Sequence, residues 1–192
     1  MQKIFGHSVD ISLLNEKGWI LDVGGNSGIF AEHFANLGFK VLCVEPNCLI
    51  EKKNHENIFH ETVAVVPSSM KGPVDYIFCS DIFCNHVKNI GLNTDKGKHH
   101  VQKVNNNQIQ GVTISDLMQK YNIKQFEVAK FDCEGGEITL LECDTFAKQI
   151  TVEFHEHLGQ EFEDIAKIMN HLQSLGYQLI NNDLMDMLFV LK

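Results

Sequence analysis

Two groups of residues could carry chemistry. The first lies in "WILDVGGNSGIF", residues 19–30, where an acid, Asp22, precedes Gly24, Gly25, Asn26 and Gly28. Glycines at these positions let the backbone turn tightly and approach a ligand with no side chain in between. A helix that follows such a turn presents free N–H groups to that ligand. Glu45 stands 17 residues beyond Gly28, at the end of the next apolar run. An acid placed there can accept hydrogen bonds from both hydroxyls of a ribose. The acid before the glycines is awkward for a pyrophosphate and suits a cationic ligand. The G-x-G-x-x-G spacing that a dinucleotide needs is absent from this turn.

The second group falls late in the chain. Asp132, Glu134 and Glu137 crowd the end of "FEVAKFDCEGG", and Glu153, His155, Glu156 and His157 crowd the end of "QITVEFHEH". Alternation along a strand would place Asp132 with Glu134, and Glu153 with His155 and His157, on shared faces. Burial and mutual repulsion in such a cluster can tune a base. Asp132, Glu134 and His155 are read as the catalytic candidates. Glu137 reads as a cap of the helix behind it, and Glu156 and His157 as a solvated edge. Asp132, Glu134, Glu153 and His155 would suit Mg or Mn better than Zn. Nothing in their spacing demands a metal, and no metal ligand is assigned.

These residues need elements to position them. Strand-like "WILDVGG" is followed by helix-like "IFAEHFANLG", in which Ile29, Phe30, Phe34 and Leu37 share a face and Gly38 is a stop. "KVLCVEP" is the next strand, then "NIFHETVAVV" and "VDYIFCS". "TISDLMQKY" has a helix start at Ser115, "FEVAKF" is a strand and "EITLLECDTFA" is helical. "QITVEF" is a strand, and "EFEDIAKIMNHLQSLG" is an amphipathic helix with Phe162, Ile165, Met169 and Leu172 in register. "YQLINN" and "LMDMLFVLK" close as a strand pair joined near Asn182 and Asp183. Such alternation implies an α/β fold, a mostly parallel sheet with helices on both faces. Residues 67–111 break the rhythm, and read as an insert that is either a lid or a plain hairpin. No linker divides the chain, so residues 1–192 read as one domain.

Composition narrows the function classes. The 192 residues carry a net charge of -9, and all 16 basic residues are lysines. Nucleic-acid surfaces and bidentate phosphate clamps rely on arginine, so neither is expected. The six cysteines form no C-x-x-C pair, which argues against a zinc ribbon or a thioredoxin-type site. No apolar stretch is long enough to span a bilayer and no signal peptide is seen, so a cytoplasmic setting without membrane partners is expected.

Asp22, the glycine turn and Glu45 together describe a pocket for a nucleoside carrying a positively charged amino-acid tail. S-adenosylmethionine fits that description. "LDVGGNSGIFAEHFANLGFKVLCVEPN" resembles the start of FkbM-type methyltransferases, whose pattern is close to D-V-G-A-N-x-G followed by E-P. "VTISDLM" resembles their T-L-D-D-L segment and "AKFDCEGGE" their K-I-D-V-E-G-x-E, and "ITVEFHEH" and the closing L-G-Y follow in order, from about residue 19 to 180. The resemblance implies a class I methyltransferase (Rossmann-like) three-layer sandwich with seven strands, the last antiparallel. It implies S-adenosylmethionine as methyl donor, with Asp22, Gly24, Gly25, Asn26, Gly28, Glu45 and Asp132 around it. The acceptor would be a small-molecule hydroxyl on a sugar or secondary metabolite. Only 18 residues precede the first strand, so an N-terminal substrate cap is expected to be missing or small. Two rivals remain open: a nucleotide-dependent oxidoreductase on a similar sheet, and a non-catalytic module that only binds S-adenosylmethionine.

Overall fold

The chain begins with a hairpin, β1 (Gln2–Ile4) and β2 (His7–Val9), and a 3-10 turn at Ile11–Leu13. The computed structural model describes residues 1–15, 17–48, 50–78, 86–87, 104–154, 162–183 and 186–192. After the hairpin come β3 (Trp19–Val23), α1 (Ile29–Asn36), β4 (Lys40–Val44) and β5 (Ile58–Glu61). Then follow β6 (Ala64–Val65), β7 (Gly72–Phe78), β8 (His86–Val87), β9 (Val104–Val112) and α2 (Ile114–Tyr121). The last part holds β10 (Phe126–Phe131), a 3-10 helix (Gly136–Glu142), β11 (Ala147–Val152), α3 (Phe162–Ser174), β12 (Tyr177–Asp183) and β13 (Asp186–Leu191).

Seven strands form the central sheet in the order β12-β13-β11-β10-β3-β4-β5. The five strands from β11 to β5 run parallel, and β13 is antiparallel to both its neighbours. This order, with its reversed last strand, is the class I methyltransferase sheet that the sequence led us to expect. Its strands are nearly continuous apolar runs, because both faces are covered. On one face Ile20, Val41, Val128 and the hairpin's Ile4 and Val9 pack with Phe30, Phe34 and Ala35 of α1. On the other, Leu21, Val23, Leu42, Ala129, Phe131, Ile150 and Val152 pack with Leu117, Leu140, Ile165, Ile168 and Leu172. Successive strands are added on either side of β3, which puts the switch in strand order at β3 and β10. Ligands of such sheets bind outside the carboxyl ends of the strands at that switch.

Several elements differ from the sequence reading. In α1 only Phe30 and Phe34 of the expected face are buried; Ile29 and Leu37 are exposed. They sit at the helix's two ends, past the part that covers the sheet. α2 starts one cap earlier than Ser115: Thr113 accepts from the Asp116 N–H and Asp116 bonds back, a reciprocal capping box. The segment 57–66 is not one strand. It splits after Glu61, and β6 leaves the central sheet to pair with β9. β7 likewise belongs to a second, four-stranded sheet of order β6-β9-β7-β8. Residues 79–85 and 88–103 of the expected insert lie outside the described residues. The stretch after β10 is a 3-10 helix, short because Gly135 and Gly136 open it and β11 must begin by Ala147. In α3 Ile168 is buried, while Phe162 is exposed.

Candidate functional site: the cleft at the ends of β3, β4 and β10

The turn after β3 is tied to its neighbours by backbone bonds. Gly24 and Gly25 both donate to the Val44 carbonyl, at 3.0 and 3.1 Å, and Gly28 donates to Gly25 at 2.8 Å. Gly24 has φ +74°, and a Cβ there would lie 1.7 Å from the Asp132 carbonyl oxygen. No side chain fits: the turn presses against the chain leaving β10. A Cβ on Gly25 would sit 2.3 Å from Cys43 Sγ. Asn26, at φ +49°, takes a left-handed conformation that asparagine tolerates. Its N–H donates to Glu45 Oε2 at 2.9 Å, and the Asn47 N–H donates to Glu45 Oε1 at 2.8 Å. Burial pushes the Glu45 carboxyl upward, and the Asn47 and Asn26 N–H groups oppose that shift. Each carboxylate oxygen keeps acceptor capacity beyond one N–H.

Asp22 does not stand at a mouth. It is completely buried, facing across the sheet to Lys130, its direct partner in the β3–β10 register. Lys130 Nζ lies 3.1 Å from Asp22 Oδ1 and 3.6 Å from Asp132 Oδ2, and donates to the Gly24 carbonyl at 2.9 Å. Burial works against the ammonium charge, but Asp22 and Asp132 outweigh it and hold the Lys130 pKa above its ordinary value. Strand pleating puts Asp22 there: its neighbours Leu21 and Val23 face the opposite core. The acid expected to meet a cationic ligand thus meets a cation of the chain itself. Cys43, beside Asp22 on β4, has its thiol pushed up by burial and by Asp22, which leaves it a small hydrophobe.

At the end of β10, Asp132 is part-exposed, with 32% of its side chain accessible. Glu134 does not continue the strand's alternation. It takes φ +56°, and Gly135 follows at φ +99°, so the chain turns before the 3-10 helix. A glutamate in the left-handed region is strained, and such strain concentrates at functional sites. Glu137 is buried and accepts from the Cys133 and Gly135 N–H groups at 3.1 and 2.9 Å, as a cap does. Glu153 follows β11, and its N–H donates to the Phe131 carbonyl at 2.9 Å, which sets it beside Asp132. His155 lies outside the described residues, as do Glu156 and His157.

Among the described residues, an imidazole beside Asp132 comes from the N-terminal hairpin. His7 Nε2 lies 3.6 Å from Asp132 Oδ2, with the ring edge-on to Phe30 at 5.8 Å between centroids. The hairpin is fastened to the sheet: Ser8 donates twice to Asp186, and Asp10 and Gln149 exchange hydrogen bonds. The hairpin therefore holds His7 against Asp132 at the end of β10. Nothing in "GHSVD" signals His7, since its placement depends on a hairpin packed far away in sequence. Lys130 left a signal that the sequence reading did not use, a lysine inside an apolar strand two residues before an acid. A separate cavity of about 760 Å³ lies between α2 and the 3-10 helix, lined by Thr113, Met118, Thr139 and Phe146. None of the cleft residues lines it.

The model of the methyltransferase FkbM domain matches residues 22–179 of this chain. The chain belongs to the FkbM methyltransferase family. As a member, it is an S-adenosylmethionine-dependent methyltransferase by family. No curated protein matches the chain. Among solved structures it is similar to a TehB-like SAM-dependent methyltransferase from Corynebacterium glutamicum, at 12% identity and TM-score 0.49, covering 94% of this chain and 84% of that one. It is also similar to a protein from Anabaena variabilis assigned as a methyltransferase of an antibiotic biosynthesis pathway, at 14% identity and TM-score 0.43. There the overlap is 86% of this chain and 57% of the other. Among the described residues no helix is long and apolar enough to cross a membrane.

Proposed function

We propose that this FkbM methyltransferase moves the methyl group of S-adenosylmethionine to a hydroxyl oxygen of a small molecule such as a sugar or secondary metabolite. The observation that carries the donor half is Glu45, clamped by Asn26 and Asn47 beside the glycine turn. A ribose laid on that turn meets a carboxylate already oriented by two N–H groups. The turn from Gly24 to Gly28 brings backbone against the donor. Asp22 acts from below, by holding Lys130 and through it the Gly24 carbonyl. In this reading Asp132, part-exposed 3.6 Å from Lys130, accepts from the methionine ammonium.

In the transfer, a lone pair of the acceptor oxygen attacks the methyl carbon in line with the carbon–sulfur bond. The new C–O bond forms, the C–S bond breaks, and its electron pair leaves with sulfur as a neutral thioether. The hydroxyl proton must go to a base, and a positioned base contributes on the order of 10²–10⁴ in rate. Glu134, held strained at the cleft, and His155 are the assigned candidates. Single-turnover methylation with labelled donor, alongside donor-binding titrations, tests these roles. Glu134→Gln and His155→Ala should keep donor affinity and lose turnover, while Asp132→Asn should lose both. Wild-type turnover in both Glu134→Gln and His155→Ala would overturn the base assignment.

A further inference from the structure

The hairpin brings to the cleft a group that the proposed reaction does not use. His7 is 3% exposed; its Nδ1 is buried without a hydrogen-bond partner among the described residues, and its Nε2 lies 3.6 Å from Asp132 Oδ2. A buried imidazole left this way is costly, so what it faces matters. It faces two carboxylates. His7, Asp132 and Glu153 come from three separate places, β2 and the ends of β10 and β11, and one ligand atom from each lies within 4.8 Å of the other two. Donors bound to one cation at roughly 2.1 Å lie about 3–4 Å apart, so modest side-chain rotation closes the set.

We propose that His7, Asp132 and Glu153 bind a single divalent cation of the first transition row, with Mn²⁺ the best match. Two carboxylates favour a hard ion, and the imidazole favours a transition metal over Mg²⁺. Asp132 and Glu153 are part-exposed, which gives the ion a path from solvent, while buried His7 anchors it from the wall. Lys130, 3.6 Å from Asp132 Oδ2, does not displace it, because Asp22 at 3.1 Å balances that ammonium. Three protein ligands leave coordination positions open toward the cleft. An acceptor oxygen would be held there, a role that rests on the methyl-transfer reading, whereas binding of the ion does not.

The test is calorimetric titration of the metal-stripped full chain with MnCl₂, with no donor present, and with Mg²⁺ as a competitor. One saturable site is expected, which Mg²⁺ at equal concentration does not displace. Glu153→Gln and His7→Asn should each weaken Mn²⁺ binding roughly tenfold or more, with circular dichroism confirming that each variant is folded. Should His7→Asn fail to fold, Glu153→Gln decides. The absence of saturable Mn²⁺ binding in the wild-type chain, or unchanged binding in Glu153→Gln, overturns the site. S-adenosylhomocysteine titrated separately distinguishes the two failures: donor product binding without Mn²⁺ binding removes only the cation, and the converse removes only the methyltransferase reading.

Discussion

Replacing Lys130 by Met keeps the length and apolar stem of the side chain and removes its charge. Lys130 is 5% accessible and Asp22 is fully buried, so the variant leaves Asp22 buried without its cation. Breaking one side of a buried pair costs about 3–5 kcal/mol. In a chain of this length each kcal/mol moves the melting point by about 2–4 °C, so a drop of roughly 6–20 °C is expected. The Gly24 carbonyl also loses its donor, and the glycine turn should loosen with it. The Lys130 pKa is raised above its ordinary 10.5 by Asp22 and Asp132 against the pull of burial. The pair's contribution is therefore complete at any pH below that value and is lost only in more alkaline solution as pH rises through the folded pKa. Melting followed by circular dichroism at neutral pH reads the effect. Asp22→Asn in the Lys130→Met background should recover part of the loss, since no unpaired charge stays buried. A Lys130→Met melt within about 2 °C of wild type, or strictly additive losses in the double variant, would refute the reasoning.

Two further outcomes follow from the turns and the surface. Gly24→Ala adds a methyl group 1.7 Å from a backbone oxygen at φ +74°, whereas Gly38→Ala, at φ +91°, adds one into open space; urea unfolding should show a cost of about 1–2 kcal/mol for Gly38→Ala and a much larger one, with loss of donor binding, for Gly24→Ala. The Asp116 carboxyl is held down to about 2 by the Lys71 ammonium and the Thr113 cap. Its contribution to stability is present above the ordinary value of 3.8 and fades as pH falls toward 2, so a carboxyl NMR titration should find that low midpoint and Lys71→Met should raise it.

The fold and the glycine turn after β3 were legible because they rest on local signals. The apolar runs of β3, β4 and β10 and the glycines after β3 announce a strand, a tight turn and a helix. Glu45 was legible for the same reason, as the acid ending β4. Asp22 was identified but its surroundings were not, because the β3–β10 register that sets Lys130 against it joins residues far apart in sequence. His7 could not be found at all, since its position is set by tertiary packing of a three-residue strand. The split of 57–66 between two sheets was hidden by unbroken apolar character, which looks the same in either sheet.

The donor site is tested most directly by calorimetric titration of S-adenosylhomocysteine into the wild-type chain and into Glu45→Ala. Glu45 lies beside the glycine turn, bonded to Asn26 and Asn47, and its loss leaves ribose hydroxyls unpaired at a cost of roughly 1–3 kcal/mol. One saturable site is expected in the wild type, weakened by about 5- to 150-fold in Glu45→Ala. Absence of binding in the wild type, or equal affinity in the two proteins, would contradict the account.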